Sequence, residues 1–190
     1  MVVRAAGVAG VAAVLLACGG GGGGPAESPF YLWSIRPGMP LLVVAGDLIE
    51  REGLAPDASV WGNGCANLDG GARRCEHRTT APLGRLVVVV ASDNRVLYVA
   101  FAPETRDPAF DDSLTLMERG WMRVPGTKMD AHGVSEDHPR GVAEMRNGRW
   151  RAFMTFDGKV CERTALPCPA LIQLVDWSEG RKYVEMKVPK

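Results

Sequence analysis

The chain has no excess of charge of either sign, since its 190 residues include 22 Lys or Arg and 22 Asp or Glu. A neutral balance offers no electrostatic basis for binding a polyanion, so we predict no nucleic-acid partner. It also gives no indication of a broad basic surface for anionic lipid. Beyond the N-terminus, no apolar run approaches the roughly 20 residues that a membrane-spanning helix needs.

The motifs of common enzyme classes are also missing. The sequence has no G-x-S-x-G nucleophile elbow, and the glycine run at 19–24 lacks the lysine that follows a phosphate-binding loop. No two carboxylates stand at a spacing that indicates acid–base catalysis. We therefore predict a non-enzymatic protein without a cofactor, which acts as an interaction or structural module.

The N-terminus has the parts of an export signal. Arg4 precedes an uncharged apolar stretch over 5–17, which is too short to span a bilayer. We therefore interpret residues 1–17 as a signal peptide. Its end, Leu15 to Cys18, resembles the lipobox of bacterial lipoproteins, and the resemblance implies that Cys18 is lipidated and becomes the mature N-terminus. An ordinary secretory signal that is cleaved nearby is the alternative.

Residues 18–29 are rich in glycine and proline and predict a tether between the lipid and a globular domain over 30–190. Its root-mean-square reach is roughly 20 Å, which would keep the domain at the membrane surface. By the family pattern, Gly19 after the cysteine implies the outer membrane, facing the periplasm, if the host has two membranes. The implied partners are the membrane, through Cys18, and an envelope protein.

Export also accounts for the odd number of cysteines, which is 5. With Cys18 lipidated, Cys65, Cys75, Cys161 and Cys168 remain, and in an oxidising compartment they allow three connectivities. The short separations favour Cys65–Cys75 and Cys161–Cys168. A zinc site made of the four thiolates is the alternative, but the spacings contain no C-x-x-C pair.

Hydrophobic periodicity predicts two short helices. The first covers 40–52, with Pro40 in its first turn and Gly53 after its end. The second begins at Asp111 or Asp112, which would cap it, and is ended or weakened by Gly120. Each helix candidate is followed by residues with the patterns of strands.

Turn residues between apolar runs predict three hairpins. The arms of each hairpin are 85–91 with 95–102, 142–146 with 149–156 around Asn147-Gly148, and 170–177 with 182–188. We expect a polar loop at 124–141 and a turn at Asp157-Gly158. The fold class is therefore α+β, with a small, mostly antiparallel sheet. The repeated order favours a tandem helix-then-strands arrangement, as one unit or as two lobes, 30–103 and 104–190.

The start of the globular domain resembles a known family. Gly-Met at 38–39, followed by Val44 and Leu48, is similar to the start of the folded part of small outer-membrane lipoproteins of the SmpA/OmlA (BamE) type. The resemblance implies a helix that leads into a small antiparallel sheet, a unit that the β-lactamase inhibitor proteins use in tandem. The chain departs from the family pattern at Pro40, where Ser or Thr is usual, and at Gly53, about one turn late.

Two groups of residues are candidates for a site. His132 and His138, with the carboxylates between 130 and 137, could bind a divalent cation in a metal-dependent envelope enzyme, although a solvated polar loop explains the same residues. Trp33 and Trp61 lie in irregular sequence and are candidates for contact with a small ligand or glycan. The periodicity around Trp121 and Trp150 instead favours the core.

Overall fold

The computed structural model describes residues 27–62, 64–105, 107–134, 139–160 and 167–185, with no description of the side chains at 132–134, 139, 159–160 and 167–168. Across these residues the chain forms two α-helices and one antiparallel sheet of eight strands, so the predicted α+β class is confirmed. In chain order the elements are α1 (Leu41–Glu52), β1 (Ala66–Asn67), β2 (Arg73–Thr80), β3 (Leu83–Val90), β4 (Val96–Pro103), α2 (Pro108–Arg123), β5 (Lys128–Val134), β6 (Pro139–Asn147), β7 (Trp150–Val160) and β8 (Pro167–Asp176).

The sheet joins the two halves of the chain. Its strands lie in the order β1-β2-β3-β4-β8-β7-β6-β5, so each half forms a meander of four strands after one helix. The halves meet where β4 pairs with β8, with Val99 opposite Leu174. The predicted succession of helix and strands therefore occurs twice, and both sets of strands belong to one sheet.

The helix α1 follows the prediction closely. Pro40 is its N-cap, one residue outside the position expected, because its ψ of 140° is extended. Gly53 ends the helix with a φ of 61°, a left-handed conformation that glycine adopts without a steric penalty. Val44 and Leu48 lie one turn apart and are buried against the sheet.

The helix α2 begins before the predicted residues. Asp107, rather than Asp111 or Asp112, caps it, and the Asp107 side chain accepts a hydrogen bond of 3.0 Å from the backbone N–H of Ala109. Pro108 then occupies the first turn, where a missing N–H is harmless. Asp111 is buried inside the first turn.

Gly120 does not end α2, contrary to the prediction, since the helix continues to Arg123. A Cβ atom at Gly120 would lie 2.8 Å from the hydroxyl oxygen of Tyr31. The glycine therefore makes room for a neighbouring segment, which is a tertiary requirement that helix propensity does not reveal.

Three predictions about the strands were wrong. Residues 124–141 include β5 at the sheet edge, where few apolar residues are needed because both faces are largely exposed. Gly158 lies within β7, at an irregularity with a φ of 95°, and does not reverse the chain. After β8 the chain forms a short 3₁₀ turn at Arg181–Tyr183 where the arm 182–188 of a hairpin was predicted, and residues 186–188 of that arm lie outside the described ranges.

One face of the sheet is covered by α1, α2 and an N-terminal arm (residues 28–39). Backbone hydrogen bonds of 2.8 Å join the arm to β4, from Gly38 N–H to the Val96 carbonyl and from Val96 N–H to the Met39 carbonyl. Trp121 and Trp150 are buried here, as predicted. This layer contains the main hydrophobic core, whose burial stabilises the fold. Its largest fully buried side chains are Trp121, Phe30, Phe101, Leu32 and Ile35.

Candidate binding groove on the open face of the sheet

The face of the sheet opposite the helices is called the open face. Side chains alternate between the two faces of a strand, so Val87, Val89, Tyr98 and Ala100 on β3 and β4 point away from the helices. Phe153 on β7 extends this apolar strip. Among the described residues, a C-terminal segment (residues 177–185) and the turn at 68–72 pack on this face, and its apolar side chains, including Val89, Tyr98 and Phe153, are buried.

The buried side chain of Gln173 on β8 holds the C-terminal segment in place. Its Oε1 accepts a hydrogen bond of 2.8 Å from the Glu185 backbone N–H, and its Nε2 donates one of 3.2 Å to the Glu185 carbonyl. The Tyr98 hydroxyl donates to the same Oε1 at 2.7 Å. Burial raises the pKa of Tyr98, and the negative charge of Glu185 raises it further, so the hydroxyl stays a neutral donor.

Asp176, at the end of β8, directs the chain onto the open face. Its fully buried carboxylate accepts hydrogen bonds from the backbone N–H of Ser178 at 3.2 Å and from the Ser178 hydroxyl at 2.5 Å. The guanidinium groups of Arg95 and Arg149 face its other oxygen at 3.6 and 3.5 Å. These charges compensate the buried carboxylate and stabilise the turn that starts the C-terminal segment.

A groove lies between the C-terminal segment and strands β2 to β4. Its volume is about 340 Å³, which is at the lower end of the range for ligand sites. The floor is apolar, and the rim is charged. The floor includes Val87, Val89, Ala100, Ala102 and Leu171, and the rim includes Arg74, Arg85, Lys182 and Glu185.

Positive charge exceeds negative charge at the rim. Glu76 lies between two arginines, with its oxygens 3.1 Å from Arg74 Nε and 2.9 Å from Arg85 Nε. The hydrogen bonds from Arg85 lower the pKa of Glu76, so this carboxylate is ionised. Its negative charge is shared between Arg74 and Arg85. Lys182 is exposed and makes no ion pair with any residue that the structure describes. Its ammonium group lies over the ring of Tyr183, 5.1 Å from the centroid, and has no anionic partner among the described residues.

The open face as a whole is more basic than the neutral composition indicates. Away from the irregular strand ends, its strands carry six arginines or lysines and three carboxylates, and Glu104, just after β4, adds a fourth carboxylate that pairs with Arg78. Each of the five arginines is paired with a carboxylate, so among the described residues the small surplus of positive charge forms no broad basic surface. The basic residues are Arg74, Arg78, Arg85, Lys128, Arg146 and Arg151, and the acidic ones are Glu76, Asp130 and Glu144.

Trp33 is placed on the other side of the sheet, away from the groove. Its ring is half-buried, with its centroid 5.1 Å from that of Phe101 and 6.2 Å from that of Phe110. The Arg51 guanidinium covers the ring at 4.1 Å from its centroid. These contacts already occupy much of the ring, so Trp33 packs on the core while its edge borders a shallow depression.

Trp61 is also half-buried and packs against the core on the helix side. It lines a small surface depression with Gly62, Gly64 and Ala66, near the disulfide bond of Cys65 and Cys75. The structure thus contains the predicted Cys65–Cys75 pair at the edge of the sheet. The depression at Trp61 also contains Arg74 and Glu76 at the rim of the groove, so Trp61 lies beside the groove whereas Trp33 does not.

Several predicted residues lie outside the described ranges, namely 1–17, Cys18, Cys161 and His138. Cys168 and His132 have described backbone in β8 and β5, but their side chains are not described. Within the described part of the chain, no three His, Cys, Asp or Glu residues form a group that could hold a metal ion. The predicted pair Cys161–Cys168 and the histidine site remain predictions.

A buried ionisable pair joins α1 to β2. The Nδ1 of His77 lies 2.7 Å from the Val60 carbonyl oxygen, so it carries the proton and donates. Glu52 accepts hydrogen bonds from the Thr80 N–H and hydroxyl at 3.1 and 2.6 Å, and lies 3.9 Å from His77 Nε2. These contacts fasten the end of α1 to the sheet, which is a structural role.

The groove was not predicted from the sequence. Val87 and Val89 belong to an uninterrupted apolar run, which does not show that the strand has two different faces. Lys182 and Glu185 lie roughly a hundred residues further along the chain and were expected in a hairpin arm. No local pattern indicates that these segments meet.

Comparison with protein-family models, with curated proteins and with solved structures finds no match to this chain. No relative therefore assigns a role to its residues. Over the part of the chain that the structure covers, no helix has the length and apolar character needed to cross a bilayer.

Proposed function

We propose that this protein is an exported, lipid-anchored envelope protein that acts without catalysis, as a binding module whose open face contacts its ligand or partner. The observation that carries the proposal is the unequal cover of the sheet. Two helices and the N-terminal arm cover one face, whereas a nine-residue segment, 177–185, covers part of the other. The apolar side chains under the C-terminal segment are buried, but the groove beside the segment has an apolar floor and a charged rim, which is a usual form of a binding surface.

Two features support the location. The sequence of residues 1–18 has the order of a lipoprotein signal, and the pair Cys65–Cys75 is bonded, as expected for a protein in an oxidising compartment. A lipid on Cys18 would hold the domain close to the membrane by a short tether. Mass spectrometry of the mature protein tests this proposal, and we expect an acylated chain that begins at Cys18.

The matched variant Cys18→Ser, expressed in the same host, should remain unacylated and leave the membrane fraction. A wild-type chain that is full-length and soluble, with no acyl group, would refute the lipid anchor. It would not bear on the use of the open face.

Photo-crosslinking tests the open face directly. A photoreactive residue at Arg78 or Lys128 samples the open face, and one at Leu42 or Leu116 samples the helix side. All four positions are exposed. We expect crosslinked products in cells from the first pair only. Equal crosslinking from both pairs, or crosslinking from the helix side alone, would contradict the proposal.

Small-ligand binding is a second candidate for the same surface, and the groove is the observation that favours it. An apolar pocket with a few charged groups is the usual form of such a site. A glycan site at Trp33 has less support, because the Trp33 ring packs edge-to-face on Phe101 and is covered by Arg51.

A further inference from the structure

The floor of the groove selects an apolar chain. Val87, Val89 and Ala100 are buried beneath the groove. The more accessible Ala102 and Leu171 complete a floor that presents only alkyl groups. The neighbouring hydroxyl of Tyr98 already donates to Gln173, so it is not free to bind a polar ligand. A chain of methylene groups would displace water from this floor without leaving a polar group unpaired.

The rim selects a negative head group. Arg74, Arg85 and Lys182 stand against Glu185 and the shared Glu76, so the positive charge exceeds the negative charge by one. Lys182 is the rim cation without an ion pair among the described residues. A carboxylate beside Lys182 would add the attraction of opposite charges to the hydrogen bond, whereas a neutral head group would form the hydrogen bond alone.

The volume of the groove suits one short chain. A volume of about 340 Å³ holds roughly ten groups of the size of a water molecule, at about 30 Å³ each. The two long chains of a phospholipid exceed that space. We propose that the groove binds a free fatty acid of about eight to ten carbons, with its chain on the floor and its carboxylate at Lys182. This inference rests on the proposed use of the open face.

Calorimetric titration of the full-length chain carrying Cys18→Ser with decanoate tests the inference, because this variant cannot carry an acyl group on Cys18. We expect saturable binding at one site. Decanol should bind about tenfold more weakly or worse, because it lacks the charge. Added salt should weaken the binding of decanoate more than that of decanol. Equal binding of the two compounds, or no binding of decanoate, would overturn the inference.

Two pairs of variants locate the site. Lys182→Met should weaken decanoate binding several-fold and leave decanol unchanged, whereas Lys128→Met removes a matched exposed charge far from the groove and should have no effect. Ala102→Leu should fill the floor and abolish binding of both compounds, whereas Ala131→Leu on the edge strand β5 should not. Loss of binding with the control variants as well would place the site elsewhere and refute the inference.

Two further arms separate the remaining possibilities. Decyl phosphate tests whether the anion must be a carboxylate, and preferential binding of decyl phosphate would replace the fatty acid with an alkyl phosphate.

A chain that ends at Glu185 tests whether the protein's own C-terminal residues occupy the groove. If only this shortened chain binds decanoate, then residues 186–190 fill the groove and the inference fails. In either case, crosslinking of Arg78 and Lys128 in cells would still support the proposed function, so the two failures are distinguishable.

Discussion

The side-chain amide of Gln173 pairs with the backbone of Glu185 through two hydrogen bonds of 2.8 and 3.2 Å, in the way that two backbone strands pair. The pair lies between the sheet and the C-terminal segment, and Gln173 is 1% exposed. A single polar side chain therefore determines where the segment crosses the open face. The wall of the groove depends on this contact.

Replacement of Gln173 by leucine should lower the free energy of unfolding by about 2–3 kcal/mol, because it leaves the Glu185 backbone groups and the Tyr98 hydroxyl unpaired. Proteolysis within 177–185 should also become faster. Denaturant unfolding and limited proteolysis measure the two effects. Tyr98→Phe removes one bond and keeps the pair with Glu185, so it should lower stability by only about 1 kcal/mol and leave proteolysis unchanged. Similar proteolysis of both variants would contradict the role of Gln173.

Two glycines should respond in opposite ways to alanine. A Cβ at Gly84 would lie 2.5 Å from the ring of Phe101 and 2.8 Å from the Ala102 carbonyl oxygen, whereas a Cβ at Gly46 in α1 meets nothing within 4 Å. Gly84→Ala should therefore destabilise the protein by about 1–3 kcal/mol. Gly46→Ala should stabilise it by about 0.5–1 kcal/mol. Thermal unfolding measures both changes, and a gain in stability from Gly84→Ala would show that the ring moves freely.

Trp33 should show an inverted order of substitutions. Its φ of 58° is left-handed, a conformation that costs a residue other than glycine about 1–2 kcal/mol. Loss of the ring from Phe101 and Phe110 should destabilise Trp33→Ala by about 2–4 kcal/mol. Trp33→Gly loses the same ring but also the strain, so it should be the more stable of the two by about 1 kcal/mol. At most other positions alanine is more stabilising than glycine. A Trp33→Ala variant that is more stable than Trp33→Gly would therefore refute the strained conformation at Trp33.

Glu118 on α2 should oppose folding at neutral pH. Partial burial raises the pKa of its carboxyl, so the folded state binds a proton more tightly than the unfolded state, whose pKa is about 4.3. Stability due to this group therefore falls as the pH rises from the unfolded value to the raised folded value, and stays low above it. Glu118→Gln should be more stable than the wild type at pH 7 and similar to it well below pH 4.

Glu76 provides a control of opposite sign. The hydrogen bonds from Arg85 lower the pKa of Glu76, so its contribution to stability is present at neutral pH and is lost as the pH falls through the folded value. Glu76→Gln should be slightly less stable than the wild type at pH 7, and only slightly because the pair is exposed. Unfolding curves recorded between pH 3 and pH 8 test both variants. The same sign of effect for the two would contradict the assignment.

The bond between Cys65 and Cys75 should contribute about 2–3 kcal/mol, because it closes a loop with a sequence separation of 10 and restricts the unfolded chain. The double variant Cys65→Ser and Cys75→Ser should unfold at a correspondingly lower temperature. Reduced wild-type protein should behave like this variant if Cys161 and Cys168 are unpaired, and should lose more if they form the second predicted bond. An unchanged melting temperature in the variant would contradict a bonded pair.

Local signals predicted most of the elements. Gly53 ends α1 as expected, and a tight turn joins β6 to β7 near the predicted position, with a φ of 55° at Gly148. Its loop residues are Gly148 and Arg149 instead of Asn147 and Gly148, because Asn147 still pairs with Trp150. The helix end and the turn both depend on backbone conformations that the nearest residues determine. The start of α2 was missed because the sequence offers three aspartates as caps, and Asp107 is the one used. Its end was missed because Gly120 is needed for the close approach of Tyr31 and does not end the helix.

The sequence by itself determined the α+β class, most of the order of helices and strands and the close cysteine pair, because each depends on residues that lie near one another in the chain. Only the tertiary structure decided that β4 pairs with β8 and that Lys182 and Glu185 complete a groove with β2 to β4. These features join residues far apart in the chain. Contacts of that kind follow from the packing of whole elements, which no local pattern encodes.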